Sequence, residues 1–140
     1  MSMREILFRG KRIDNGEWVE GYYRIKGKGT DIENHYIMVP TFQSSIGNYD
    51  YMCYFTDVHI DSETLCQYTG LKDKNGNRIW ENDICTLITE EGEFVIKYDE
   101  EGARFILDGD GIVEDFDNYY DYECEVIGNI FDNPELLKGE

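Results

Sequence analysis

The stretch S-E-T-L-C-Q-Y-T-G-L-K-D-K-N-G-N-R-I-W-E-N-D, Ser62 to Asp83, decides how this chain folds. Asp73-Lys74-Asn75-Gly76-Asn77 is the clearest turn in the sequence. Its Asn-Gly pair matches the type I′ geometry whose twist joins antiparallel strands. Asp61-Ser62-Glu63-Thr64 precedes it as a short helical turn or bend, because Asp61 can cap free amides and no long apolar period follows. Ile79-Trp80 is a brief strand, and Glu81-Asn82-Asp83 is a second bend leading into the next strand.

Working outward, the remaining segments also read as β. Arg4 to Lys11 and Trp18 to Lys26 form a hairpin about Asn15-Gly16. His35 to Phe42 is a third strand, at an edge or a strand end because Pro40 cannot donate a ladder hydrogen bond. Tyr51 to Ile60 is a fourth. Ile84 to Thr89 and Phe94 to Tyr98 pair about Glu91-Gly92, and Arg104 to Leu107 follows. Gly109 to Tyr122 fits either a long loop or one helical turn near Phe116. Cys124 to Phe131 closes the sheet, and Pro134 suits the first turn of a helix.

These elements predict an all-β protein with little helix. Five short strands between about Leu65 and Phe131 suit a small, strongly bent SH3-like barrel, whose closure removes most exposed edges. Such a barrel alone buries little core, so the N-terminal antiparallel strands are expected to pack on it. The expected division is 1–64 and 65–140, joined as one integrated unit.

The residues from Thr64 to Asp83 resemble the core of the phage YopX-like family, whose members read in general form E-T-V-x-Q-Y-T-G-L-x-D-K-N-G-x-x-I-Y-E-G-D-I. The opening R-E-I-L-F-R-G-K-R with W-V-E-G-Y-Y, and the ending E-V-I-G-N-I-F-D-N-P-E-L-L, are similar to that family's termini. Trp80 stands where Tyr is usual and Asn82 where Gly is usual; Asn tolerates left-handed backbone at modest cost. The resemblance implies a mainly β phage or prophage protein with an SH3-like barrel. It brings no assigned activity, and so no catalytic or binding residues.

Charge is the strongest compositional feature, at −17 over 140 residues. Residues 1–30 hold seven basic and four acidic side chains, while the rest hold 6 and 26. Eleven carboxylates face only Arg104 between Asp99 and Glu125. Such a surface repels nucleic acid and attracts basic protein surfaces. Asp108, Asp110, Asp115, Tyr119, Tyr120 and Tyr122 form the expected interaction surface, since Tyr offers rigid area with a polar tip. The expected partners are a basic host or phage protein, and a second copy of the chain through its basic start. No direct nucleic-acid or membrane partner is expected.

Catalytic signals are weak. Asp73-x-Asn75-x-Asn77 opens like a calcium loop, but Arg78 stands at its sixth position and Ile84 at its twelfth. His35 and His59 have no partner motif and read as structural. Ser44-Ser45 lacks a nucleophile elbow. Cys53, Cys66, Cys85 and Cys124 lie in apolar segments at irregular intervals and read as buried, reduced thiols. The expectation is therefore a non-enzymatic interaction module without cofactor or metal. The alternative is a metal-assisted hydrolase using Asp108, Asp110 and Asp115. The N-terminus has no apolar run long enough for a signal peptide, and no run approaches a membrane span, so a cytoplasmic location is expected.

Overall fold

A computed structural model describes residues 5–44, 51–88, 90–109, 112–115 and 123–137. The described residues hold ten strands and no α-helix. The chain groups into two units, one of Ile6–Cys66 and one built from Gln67 onward with Glu5.

The first unit contains β1 (Phe8–Arg12), β2 (Trp18–Lys26), β3 (Asn34–Ser44) and most of β4 (Tyr51–Lys72). β1, β2, β3 and β4 pair in order, and β4 also pairs with β1, so the pairings form a closed cycle. Closure leaves these strands fewer unpaired backbone edges. Alternation on β2 sets the inside from the outside: Gly21 is buried and Tyr23 and Ile25 half-buried, while Glu20, Tyr22, Arg24 and Lys26 are exposed. Ile37, Ile60 and Cys66 are fully buried. Two glycines let the strands approach. A Cβ on Gly10 would meet Ile60 Cδ1 at 2.6 Å, and one on Gly21 would collide with the Met38 carbonyl oxygen.

β4 runs unbroken through Asp61–Thr64, where the sequence predicts a helical turn or bend. The local bonding expected of a bend is present but serves an extended chain. Asp61 Oδ1 accepts the Glu63 N–H, and the Thr64 hydroxyl donates to the Asp61 carbonyl. Thr64 Oγ1 also accepts the Lys11 N–H at 2.8 Å, tying β4 to β1. Interstrand pairing, which local reading does not see, overrides the local preference.

The second unit takes the end of β4, β5 (Arg78–Trp80), and a five-stranded antiparallel sheet. That sheet holds β6 (Asp83–Leu87), β7 (Phe94–Asp99), β8 (Arg104–Gly109), β9 (Ile112–Asp115) and β10 (Cys124–Asn129), in the order β10-β6-β7-β8-β9. Its core is Ile79, Cys85, Leu87, Phe94, Ile96, Leu107 and Cys124. Ile112–Asp115 of the acidic segment thus forms a strand rather than loop, while Phe116 to Tyr120, where a helical turn is expected, lies outside the described residues. Pro134–Leu137 begins a short 3-10 helix.

The Asn75-Gly76 corner differs from a type I′ turn. Only Gly76 has positive φ, at 83°, whereas type I′ needs both central residues there. Lys72 pairs with Arg78 across a five-residue loop, so the connection is longer than a two-residue hairpin. Asp73 organises it instead. Its Oδ1 accepts the N–H groups of Asn75 and Asn77, and its Oδ2 accepts that of Val126 on β10 at 3.0 Å. The bend at Glu81–Asn82 holds as expected. Asn82 sits at φ 71°, and buried Asp83 accepts the Trp80 N–H at 2.8 Å.

Candidate functional site

The described residues place one predicted site carboxylate in detail. Asp108 lies on β8, opposite Val95 of β7 and Val113 of β9, and its Oδ2 is 3.2 Å from Lys97 Nζ. Asp115 stands opposite Ile106 at the end of β9. Asp110, Tyr119, Tyr120 and Tyr122 lie outside the described residues.

The clearest concavity lies elsewhere, in the first unit: an open groove of about 540 Å³. Drug-sized ligand sites span about 300–1,000 Å³. β1 contributes Lys11 and Arg12 to it, and Ile13 follows directly after the strand. The start of β3 and the residue before it contribute Asn34, His35 and Glu33, and β4 contributes His59, Ile60, Asp61 and Ser62. The Ile13 N–H donates to the His59 carbonyl at 3.1 Å, which fixes β1 against β4 there. A smaller hollow of about 320 Å³ shares Arg12, Ile13 and His59 and adds Asp14 and Asp57. Both histidines of the chain therefore line one groove.

His35 is held at both nitrogens. Nδ1 meets the Tyr23 phenol at 2.5 Å, and Nε2 meets Glu33 Oε2 at 3.0 Å. A neutral ring satisfies both, with Nε2–H donating to the carboxylate and Nδ1 accepting the phenol proton. Glu33 also accepts the Gly29 N–H, which, with His35, holds its carboxyl below the usual range. Tyr23 moves the other way. Burial first, then the Glu33 charge, raises its pKa, so the phenol remains a neutral donor. A carboxylate–imidazole–phenol relay of this polarity fixes geometry and generates no phenolate at neutral pH.

His59 is different. It stacks on Tyr36 with ring centroids 5.1 Å apart, and Lys26 Nζ lies 4.7 Å from the Tyr36 ring centre. No group among the described residues hydrogen-bonds its ring, and it opens toward both hollows. Arg12 is oriented by bonds to both carboxylate oxygens of Asp14, at 2.9 and 2.7 Å. Sequence reading missed this groove because its residues come from segments far apart. The available signal is the strand register, which sets Tyr36 against His59, and register is not written in local pattern.

Among the described residues, no three His, Cys, Asp or Glu side chains are grouped to hold a metal ion. Asp73, at the opening of the calcium-like sequence, spends its oxygens on backbone N–H groups. Cys66, Cys85 and Cys124 are buried and unbridged. The bond to Cys124, then burial, pushes the Cys85 thiol pKa far up. Thiolate chemistry at that site is thereby suppressed.

Two antiparallel β units, one with a closed pairing cycle and a polar groove and the other an acidic open-ordered sheet, define the class of protein. The family model described as YopX protein matches residues 7–138, and the chain belongs to that family. Its fold is similar to the crystal structure of protein EF1440 from Enterococcus faecalis. The TM-score is 0.61 at 24% identity, over 97% of this chain and 100% of that one. No curated protein matches the chain. No helix among the described residues is long and apolar enough to cross a membrane.

Proposed function

We propose that this is a non-enzymatic accessory protein of a phage or prophage, acting in the bacterial cytoplasm, whose acidic second unit docks a basic surface of a host or phage protein. One observation carries the reading: the charge segregates with the fold. Residues 6–66 hold six basic and nine acidic side chains, whereas the rest hold seven and twenty-one. Cations of the second unit already have carboxylate neighbours: Lys97 with Asp108, Arg104 with Asp99, Lys74 with Glu125. The surplus carboxylates therefore lack internal counter-charges, and a basic partner supplies them. Asp108, Asp110 and Asp115, with Tyr119, Tyr120 and Tyr122, are the proposed docking residues. The same surplus supports self-association against the more basic first unit.

The test compares the wild type with a D108N/D110N/D115N variant in pulldowns at low and high salt. Capture that weakens with salt and with the triple substitution supports docking; capture indifferent to both refutes it. Sedimentation at tens of micromolar separates self-association from a monomer. The alternative is a carboxylate-dependent, metal-assisted hydrolase using Asp108, Asp110 and Asp115. A thermal shift with millimolar magnesium, manganese or calcium would be its first sign.

A further inference from the structure

Asparagine followed by glycine occurs twice in the chain, at Asn15-Gly16 and Asn75-Gly76. Such a pair can react with itself: the glycine nitrogen attacks the asparagine side-chain carbonyl, and the missing glycine side chain leaves that approach unobstructed. Both corners are exposed, and a Cβ on either glycine would meet nothing within 4 Å. The two glycine N–H groups are engaged alike, Gly16 donating to the Arg12 carbonyl at 2.9 Å and Gly76 to the Asp73 carbonyl at 3.0 Å. The side chains separate the two corners. Asn15 is tied at both ends to Glu17, its Oδ1 accepting the Glu17 N–H at 2.9 Å and its Nδ2 donating to Glu17 Oε2 at 3.3 Å. Asn75 has one long side-chain contact, from Nδ2 to Glu125 Oε2 at 3.4 Å, and its Oδ1 accepts no hydrogen bond among the described residues.

We infer that Asn75 is the site at which the folded chain deamidates, through a cyclic imide with Gly76, while Asn15 is held back. The Gly76 nitrogen loses its proton to solvent base and bonds to Asn75 Cγ, with Oδ1 carrying the charge of the tetrahedral intermediate. The Cγ–Nδ2 bond then breaks, and the nitrogen departs as ammonia with a proton from solvent. Water opens the imide at one of its two carbonyls. Opening at Cγ leaves aspartate. Opening at the main-chain carbonyl leaves isoaspartate, whose backbone runs through the side chain and is one carbon longer. The sum is one water taken up and one ammonia released, with no oxidant, reductant or cofactor. At Asn15 both amide atoms must first leave Glu17, whereas at Asn75 only the long contact to Glu125 restrains the amide. The position also has a structural consequence. Asp73 Oδ1 accepts the N–H groups of Asn75 and Asn77, on either side of Gly76, and its Oδ2 holds Val126 of β10. An extra carbon between those two N–H groups spreads them apart, and the new carboxylate stands beside Glu125, a like charge. Conversion thereby loosens the hold of Asp73 on β10. This inference stands or falls independently of the acidic docking surface.

The experiment incubates the intact chain in warm, mildly alkaline buffer, native in one arm and unfolded in guanidinium in the other. Peptide mapping by mass spectrometry follows deamidation at each asparagine, and each native rate is divided by its unfolded rate so that effects of neighbouring sequence cancel. The ratio at Asn75 is expected to exceed that at Asn15 by at least about threefold, the scale of one or two net side-chain hydrogen bonds. An E17A variant with an unchanged circular dichroism spectrum is expected to raise the native rate at Asn15 and leave that at Asn75 as it was. Ion exchange separates the isoaspartate form, in which hydrogen exchange at the Val126 N–H is expected to be at least about tenfold faster than in fresh protein. Equal or reversed ratios, or no reaction at Asn75 in the folded chain, would overturn the assignment of the site. Unchanged exchange at Val126 in the isoaspartate form would overturn the loosening of β10.

Discussion

Asp73 shows how one residue fixes a corner that the surrounding letters describe only approximately. It is 2% exposed and charged, a combination tolerated only when the charge is well bonded. Burial alone would raise its pKa, but the N–H groups of Val126, Asn77 and Asn75 outweigh it and hold the carboxyl below its usual value. The folded pKa is therefore below the unfolded one, near 3.9. The stabilisation is fully present above that value and is lost as pH falls through the folded pKa. Replacing Asp73 with Asn turns an acceptor into a donor facing one of these N–H groups. D73N is expected to cost about 2–4 kcal/mol, read as a lower midpoint in urea. Below about pH 4 its stability should also fall less steeply than that of the wild type. The Asp-x-Asn-x-Asn pattern was visible in the sequence, but its role was not, because Val126 lies 53 positions away.

Among the elements, β4 is the one that local reading divides and the fold unites. Its 22 residues accept register from β3, from β1 and from β5, and each stretch is held by a different neighbour. The hairpins were legible because alternation and turn residues are local signals. The close approach of the strands was not, since it depends on glycines whose value lies in what their missing side chains admit, Gly10 between β1 and β4 and Gly21 between β2 and β3. Gly21 is the sharper case, because the obstacle is backbone and cannot rotate away. G21A is expected to destabilise the chain by about 1–3 kcal/mol, measured by chemical unfolding. At Gly70, by contrast, the space is open, and an alanine suffers only from the φ of 90°. That cost is about 1–2 kcal/mol.

Across the whole molecule, charge sets the conditions for stability. A net −17 repels itself, more so in the unit rich in carboxylates. Screening shortens the reach of that repulsion from about 10 Å at 0.1 M salt to about 3 Å at 1 M. The thermal midpoint is expected to rise by about 3–6 °C between these salt concentrations, consistent with about 1 kcal/mol. A midpoint that falls would mean that ion pairs such as Lys26–Asp57 outweigh the repulsion. Composition and alternation by themselves determined the all-β class, most strand positions, the burial of Cys66, Cys85 and Cys124 and the acidic surplus, because each depends on residue type and near-neighbour spacing. The tertiary structure alone decided the unbroken course of β4, the closed cycle of the first unit, the anchoring role of Asp73 and the groove joining His35 to His59. All four arise from register between distant strands, and a shift of one residue would turn every side chain to the other face while leaving the local pattern intact.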